Sequence, residues 1–553
     1  MLKKYSLVFI LFLFFPAILP AQEALKSVEE EYYDFLSLQG LTERPALNYR
    51  TLSDSVWAVD ATAEHPWQGN NLGAFHALFG DFRLRAYGPE LFMSGNTAAP
   101  YGQNDGVLWQ GRGFNALLKG GVRFEGYGIE LTLLPHLAFS QNAEFELMKP
   151  EMSGPVYEGK ADTYGYFWSV VDAPQRFGDK PFFDWDLGDS EIRYTWRTLT
   201  VGFGTQAIWL GPSYLNSILH SNNAPAYPKF DIGLRRQRVI LPWLGWYLGD
   251  IETRLWVGQL TESGYFDNDD SNNYTMIHGL AFAYAPPFLP GLTLFANRIC
   301  LVPWAWENLK FILPSEENTM EDQKASFGFS WLFPQVSLEI YGELGIDDFV
   351  PNGFSFRFPL NFPHGYIRYP FHTMMYTVGL KKVIPVTKTR NIYGVLFFEW
   401  NSMEMSQDFQ FQWPYSPYFH YPIIHGYTNR GQWLGAGTGW GGNSQYLKFK
   451  LYYPKGSSSV FVNRNNPDNN FIYSKAVYEV ATPELERQFF KSWKANFSTG
   501  IDTNYFITNV LSLGGGFIYN LIINPYYYFN KTDYLQDDFK HNVSLQLMVK
   551  YIF

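Results

Sequence analysis

Two stretches of the chain interleave aromatic rings with amides and carboxylates as a sugar-binding surface requires. GYFDNDDSNNY (264–274) brings together Asp267, Asp269, Asn272 and Tyr274, and QFQWPYSPYFHYP (410–422) brings together Trp413, Tyr415, Tyr418, His420 and Tyr421. Sugar rings offer C–H faces that stack on aromatics, and hydroxyls that pair with planar amides or carboxylates. An interfacial girdle or packing within a loop would use the same composition. In the first stretch Asp267, Asp269, Ser271 and Asn273 also follow the alternate-position oxygen spacing of a calcium loop. The sixth position is Asn272 where Gly is wanted and the twelfth is His278 rather than Glu, so a helix–loop–helix site is excluded, and calcium that stabilises the loop or bridges an acidic polysaccharide to the acidic loops stays open.

Bond cleavage finds less support. GDS (188–190) echoes a serine-esterase motif, but it sits at the mouth of strand 191–196 and lacks the following Leu, and neither GxSxG nor HExxH occurs. The adjacent carboxylates Asp347-Asp348, Asp269-Asp270 and Asp537-Asp538 would point to opposite faces of a strand and could not flank one glycosidic bond. The expectation is a binding protein rather than an enzyme.

The elements that would position such loops are legible from the two ends. In HNVSLQLMVKYIF (541–553), Val543, Leu545, Leu547, Val549, Tyr551 and Phe553 share one face of a strand, and Ser544, Gln546 and Lys550 share the other. A strand between lipid and a polar lumen needs this alternation. At the other end, Lys3 and Lys4 precede an apolar run over 5–19 and then Pro20-Ala21-Gln22, which reads as a secretory signal peptide over residues 1–21. Aromatics make up 19% of the 553 residues and apolar residues 46%, yet no later run approaches the roughly 20 apolar residues of a membrane helix. Lipid contact must therefore be spread over alternating strands, with 38 Tyr and 18 Trp available for the interfacial girdles. The net charge of −10 excludes a phosphate-tracking nucleic-acid surface, and the single cysteine, Cys300, has no disulfide partner.

Residues 22–78 are expected to form a periplasmic N-terminal helical element, with Tyr32, Phe35, Leu36 and Leu38 at helical spacing and a stop at Gly40. Residues 79–553 then read as one antiparallel transmembrane barrel. Short and long connections alternate back from Phe553, with bends near Thr508-Asn509, Pro454–Ser457, Pro385–Arg390, Pro334 and Pro286–Gly291 on the periplasmic side. Continuing the count gives about 18 strands, an even number as single-chain barrels require.

Four strings resemble the Wzi family of outer-membrane capsule-assembly proteins: PYGQNDGVLWQGRGFN (100–115), WLGPSYLNSILHSNNAPAYP (209–228), YGELGIDDF (341–349) and HGYTNRGQWLGAGTGWGGNSQ (425–445). The second departs from the family's Gly-Pro-Gly by carrying Ser213 after Pro212. The resemblance implies an 18-stranded barrel, a helical element occluding the lumen, and a non-catalytic, lectin-like attachment of exported capsular or other surface polysaccharide. It singles out Asn104, Asp105, Trp109, Arg112, Trp209, Gly211, Pro212, Asn222, Asn223, Asn429 and Arg430 as family-motif loop residues. The expected partners are that polysaccharide, outer-membrane lipid and, during biogenesis, the barrel-assembly machinery, with the protein itself a monomer. A sugar-specific porin and a purely structural surface antigen remain the alternatives.

Overall fold

The computed structural model describes residues 18–22, 26–60, 62–148, 150, 152–166, 171–312, 321–347, 373–404, 417–420, 423–439, 441–467, 494–525 and 539–553. Most of the expected signal peptide, together with Trp413 and Tyr415, lies outside them. Residues Ile18–Gln22 pair antiparallel with Val56–Asp60.

The chain closes into an 18-stranded antiparallel barrel. Its strands, numbered in chain order, are β1 (Arg83–Asn96), β2 (Gly113–Gly126), β3 (Ile129–Leu133 and His136–Ser140), β4 (Phe182–Asp186 and Glu191–Trp196), β5 (Leu199–Gly204) and β6 (Lys229–Ile240). There follow β7 (Tyr247–Thr261), β8 (Tyr274–Ala285), β9 (Leu292–Pro303), β10 (Asp322–Phe333), β11 (Leu338–Asp347) and β12 (Met374–Thr387). The last six are β13 (Ile392–Ser402), β14 (Asn443–Tyr453), β15 (Gly456–Asn466), β16 (Ala495–Thr508), β17 (Leu511–Ile523) and β18 (Phe539–Tyr551). The two interrupted strands, β3 and β4, still pair along both their halves, and β18 closes on β1 from Ser544↔Asn96 to Lys550↔Glu90. All the short connections, from 127–128 to 509–510, share one end of the barrel with the C-terminus, as the sequence leads one to expect.

Burial is inverted relative to a water-soluble barrel. Leu545 is 58% exposed while its neighbour Ser544 is fully buried, and Phe203, Phe230, Ile501 and Phe517 are exposed while Arg123, Arg193 and Arg254 are buried. The apolar face is the lipid belt and the charged face lines the lumen, which identifies the fold as an outer-membrane-type barrel. GDS (188–190) falls in the break of β4, where the Ser190 hydroxyl donates to the Leu187 carbonyl and accepts from the Leu134 amide at 2.8 Å. Its role there is to satisfy backbone at a strand irregularity.

The N-terminal element, expected ahead of the barrel on its periplasmic side, stands inside the lumen at the short-connection end. Its helix α1 (Val28–Leu38) starts where the Ser27 hydroxyl accepts from the Glu30 amide at 3.1 Å, with Glu29, Glu30 and Glu31 in the first turn. The helix ends at Gly40, whose φ of 72° suits glycine and whose amide donates to Ser37. Tyr32 stacks on Trp67 at 3.9 Å between ring centroids, Phe35 stacks on Tyr452 at 4.4 Å, and the Trp67 indole donates to the Tyr453 and Gly456 carbonyls. Around this core the element is pinned to the wall by charge: Glu29 to Lys550 at 2.6 Å, Glu31 to Lys450 at 3.0 Å, Asp34 to Lys381 at 2.7 Å, Arg44 to Glu339 at 2.5 Å, and Asp54 to Arg254 at 3.1 Å. Leaving one such buried charge without its partner costs about 3–5 kcal/mol, so the plug is held firmly from several directions.

Candidate functional site

Above this plug, three of the four motif strings fold inward and build a second layer. Residues 205–228 cross the lumen, and Trp209–Leu210 pairs antiparallel with Tyr49–Arg50 of the N-terminal element. The Glu399 carboxylate on β13 accepts from the Tyr214, Leu215 and Asn216 amides at 2.6, 3.1 and 2.8 Å, and from the Tyr341 hydroxyl at 2.8 Å. At Gly211 the φ of 77° favours glycine, and a side chain there would have to displace the Glu343 carboxylate, which has an oxygen 2.9 Å from where a Cβ would stand. Loop 97–112 rests on this crossing: the Gln103 amide donates to Asn216 at 2.8 Å, the Asn104 backbone donates to Asn223 at 3.1 Å, and the Gly106 amide donates to the Asn222 carbonyl at 2.9 Å. Residues 423–439 close over it, with Ser221 donating to Leu434 and Gly435 and Asn429 holding the Thr261 amide and the Pro225 carbonyl, each at 2.9 Å. Arg430 pairs with Asp184, and Arg112 donates to the Thr97 and Glu144 carbonyls. Residues 341–347 of the third string lie on strand β11, which sends Tyr341 and Glu343 into the lumen.

Between this two-layer plug and the wall formed by β14 to β18 runs a cleft of about 760 Å³. Its wall side carries Asn463, Asn465, Asn496, Ser498, Asn520 and Gln546. Asn463, Ser498 and Asn520 are direct cross-strand partners, extended by Tyr446 on one side and Asn542 on the other, so polar side chains form a row with the roughly 4.8 Å spacing of a sheet. Its plug side carries the rings of Trp109, Tyr166, Tyr214 and Trp433. Its floor is the helix α1 with Glu31, Asp34, Lys381 and Lys448.

The side-chain carbonyl oxygens of Asn465, Asn496 and Gln110 are buried with no hydrogen-bond partner among the described residues. Each such orphan costs about 1–3 kcal/mol. On the opposite rim, burial pushes the Asp105 carboxyl up to about 7, with the Gln110 amide at 2.8 Å pulling the other way. At the floor, burial would raise the Glu31 carboxyl, but Lys448 and Lys450 outweigh it and hold it down at about 2. The cleft thus opposes an amide wall to an aromatic wall, the two surfaces that the edges and faces of a sugar ring need.

Of the residues singled out in the sequence, Asp105, Trp109 and Asn223 line this cleft, and Asn104 and Asn222 line a smaller cavity beside it. Trp209, Gly211, Arg112, Asn429 and Arg430 hold the plug together, as their contacts above establish, and Pro212 lies in the crossing loop. Tyr418 corrects its expected role in sugar contact. It is fully buried, stacked on Tyr427 at 5.0 Å, donating to the Ile218 carbonyl and accepting from the Ala436 amide, and offers no ring face to a ligand. His420 is half-buried outside the cleft.

The loop 262–273 also lies away from the cleft. Asp267, buried, accepts from the Asp269 backbone at 2.8 Å and from Asn272 at 3.2 Å, while Asp269 accepts from Ser271. These turns use the oxygens that calcium would need, and among the described residues no three His, Cys, Asp or Glu side chains are grouped to hold a metal. Tyr274 is exposed at the start of β8. The amide wall went unnoticed in the sequence, although the alternation in VFVNRNN (460–466) and ANFST (495–499) marks its residues as inward-facing.

Fold and lumen together define a plugged outer-membrane β-barrel with an internal polar–aromatic cleft. Residues 157–294 match the family of capsule assembly protein Wzi, a stretch that contains the second of the four motif strings, so the resemblance read from the sequence is borne out there. The chain is similar in fold to Wzi of Escherichia coli, described as an outer membrane protein involved in group 1 capsule assembly and a carbohydrate-binding β-barrel. The two share 13% identity and a TM-score of 0.57 over 97% of this chain and all of that one, and at this identity the likeness speaks for the fold alone. OccAB1 of Acinetobacter baumannii (11% identity, 84% of this chain and 96% of that one, TM-score 0.35) and OccK8 of Pseudomonas aeruginosa (9%, 84% and 97%, TM-score 0.36) match more weakly and carry no argument. No curated protein matches the chain.

Proposed function

We propose that this protein works in capsule assembly by holding exported surface polysaccharide, without cutting it, in the cleft between plug and wall. The short connections and the N-terminal plug face the periplasm, the long connections face the outside, and one monomeric barrel is a complete holding unit. The observation that carries this reading is the pairing of an amide row on β15 to β17 with Trp109, Tyr214 and Trp433 across one cavity. The family match over residues 157–294 supports it independently. The test is the partition of surface polysaccharide between cells and medium in a deletion strain and its complemented parent. Polymer made in equal amount but shed into the medium is the expected result, and polymer that stays on the deletion cells sinks the reading.

A further inference from the structure

Below the cleft the lumen narrows in steps. A cavity of about 230 Å³ shares Lys26, Phe92, Asp105 and Leu108 with the cleft, and a third of about 40 Å³ shares Ser27, Glu29, Glu90, Lys119 and Lys550 with the second. The third reaches Ile552 at the short-connection end. This neck is crossed by alternating charges, Glu29 to Lys550 at 2.6 Å, Lys550 to Glu90 at 3.6 Å, and Lys119 to Glu90 at 2.8 Å. A space of 40 Å³ holds about one water molecule, so no sugar ring passes.

The cleft is therefore a well. On β18 it runs from Lys540 to Gln546, about 20 Å of strand. Its volume falls within the range of pockets that enclose a whole small ligand, and it is walled by β14 to β18 on one side, by the plug on the other and by α1 below. The neck closes the lower end, so a polymer that enters the cleft does not run on through the barrel to the short-connection end.

From this geometry we infer that the well takes the terminus of a polysaccharide chain, end-on and several sugar rings deep, so that each barrel moors one chain by one end. The inference rests on the proposed function and adds to it the part of the polymer that is bound. It also sets the stoichiometry: one protein for each chain, whatever the chain's length.

The test uses the full-length protein in detergent and surface polysaccharide extracted from the producing bacterium, separated by gel filtration into natural length fractions without cleavage. Sedimentation then counts the proteins bound per chain. The expected ratio is constant across a tenfold range of length, and Ser498→Trp, which fills the well, lowers binding at least tenfold in every fraction while heat-modifiable gel migration reports an intact barrel. A ratio that rises in proportion to length overturns end-on binding, with chain interior or side branches as the sites, and leaves the holding function standing. If the Ser498→Trp barrel does not fold, the length series alone decides. No binding of any fraction by the folded wild-type barrel overturns the holding function itself, and end-on binding with it.

Discussion

Glu252 on β7 and Glu399 on β13 perform the same task on two different segments of the plug. Glu252 accepts from the successive amides of Leu47, Asn48 and Tyr49 at 2.8, 3.0 and 2.7 Å, and Glu399 accepts from those of Tyr214, Leu215 and Asn216. Each carboxylate turns a stretch of irregular backbone, which could not otherwise satisfy its donors inside a barrel, into a seated ligand of the wall. Glu399→Ala leaves these amides without an acceptor, at about 1–3 kcal/mol each. The expected outcome is a fall of roughly 5–10 °C in the unfolding midpoint in detergent, with Glu399→Gln, which keeps one acceptor oxygen, falling less. Equal midpoints for wild type and Glu399→Ala would show that the crossing loop is held by other means.

The aromatic wall predicts a specific loss of holding. Trp433→Ala removes a ring that faces the amide row, and a stacking contribution of about 1 kcal/mol corresponds to several-fold weaker binding. Cells producing this variant should shed more polysaccharide with unchanged barrel in the membrane. Retention equal to that of wild type would remove Trp433 from the site.

Acid should loosen the plug before it unfolds the barrel. Lys448 and Lys450 hold Glu31 down at about 2, against an ordinary value of 4.5. A carboxyl held low in the folded state stabilises it fully above pH 4.5 and loses that contribution as pH falls towards 2. The Glu31 contribution, read as the difference in thermal midpoint between wild type and Glu31→Gln, should therefore be flat from pH 7 to 5 and fall by about 5 °C between pH 4.5 and 2.5. Glu31→Gln should start lower and show a shallower drop, and a variant with the wild-type slope would place the acid sensitivity elsewhere.

The plug also predicts electrical silence. In planar bilayers the intact protein should give no large, stable single-channel currents. Lys381→Gln combined with Lys450→Gln, which removes one cationic partner each from Asp34 and Glu31, should produce frequent flickering openings. Stable porin-like currents from the wild type would contradict the plug described here.

The sequence revealed the wall more readily than the contents. The alternation of Leu545 and Leu547 with Ser544 and Gln546 is a local signal, readable within one strand, and it predicts the side each residue takes. The cleft has no such signal, because Asn463, Ser498 and Asn520 become neighbours only when three strands are brought into register, the first two of them across the long connection 467–494. Tyr418 misled for a related reason. A tyrosine between Pro417 and Phe419 reads alike whether its hydroxyl meets a sugar or, as here, the Ile218 carbonyl 200 residues away. The motif strings were found as patterns, but their shared role, packing against one another inside the lumen, depends on contacts such as Asn104 with Asn223 that no spacing along the chain encodes.

The seam where β18 meets β1 ties distant parts of the chain together. Glu29 lies in the N-terminal element, and its partner Lys550 lies on the last strand. The same lysine reaches Glu90 on the first strand, so the final closure of the wall and the seating of the plug share one side chain. A change at Lys550 is therefore felt at both places at once, in the hold on the plug and in the join between the first and last strands.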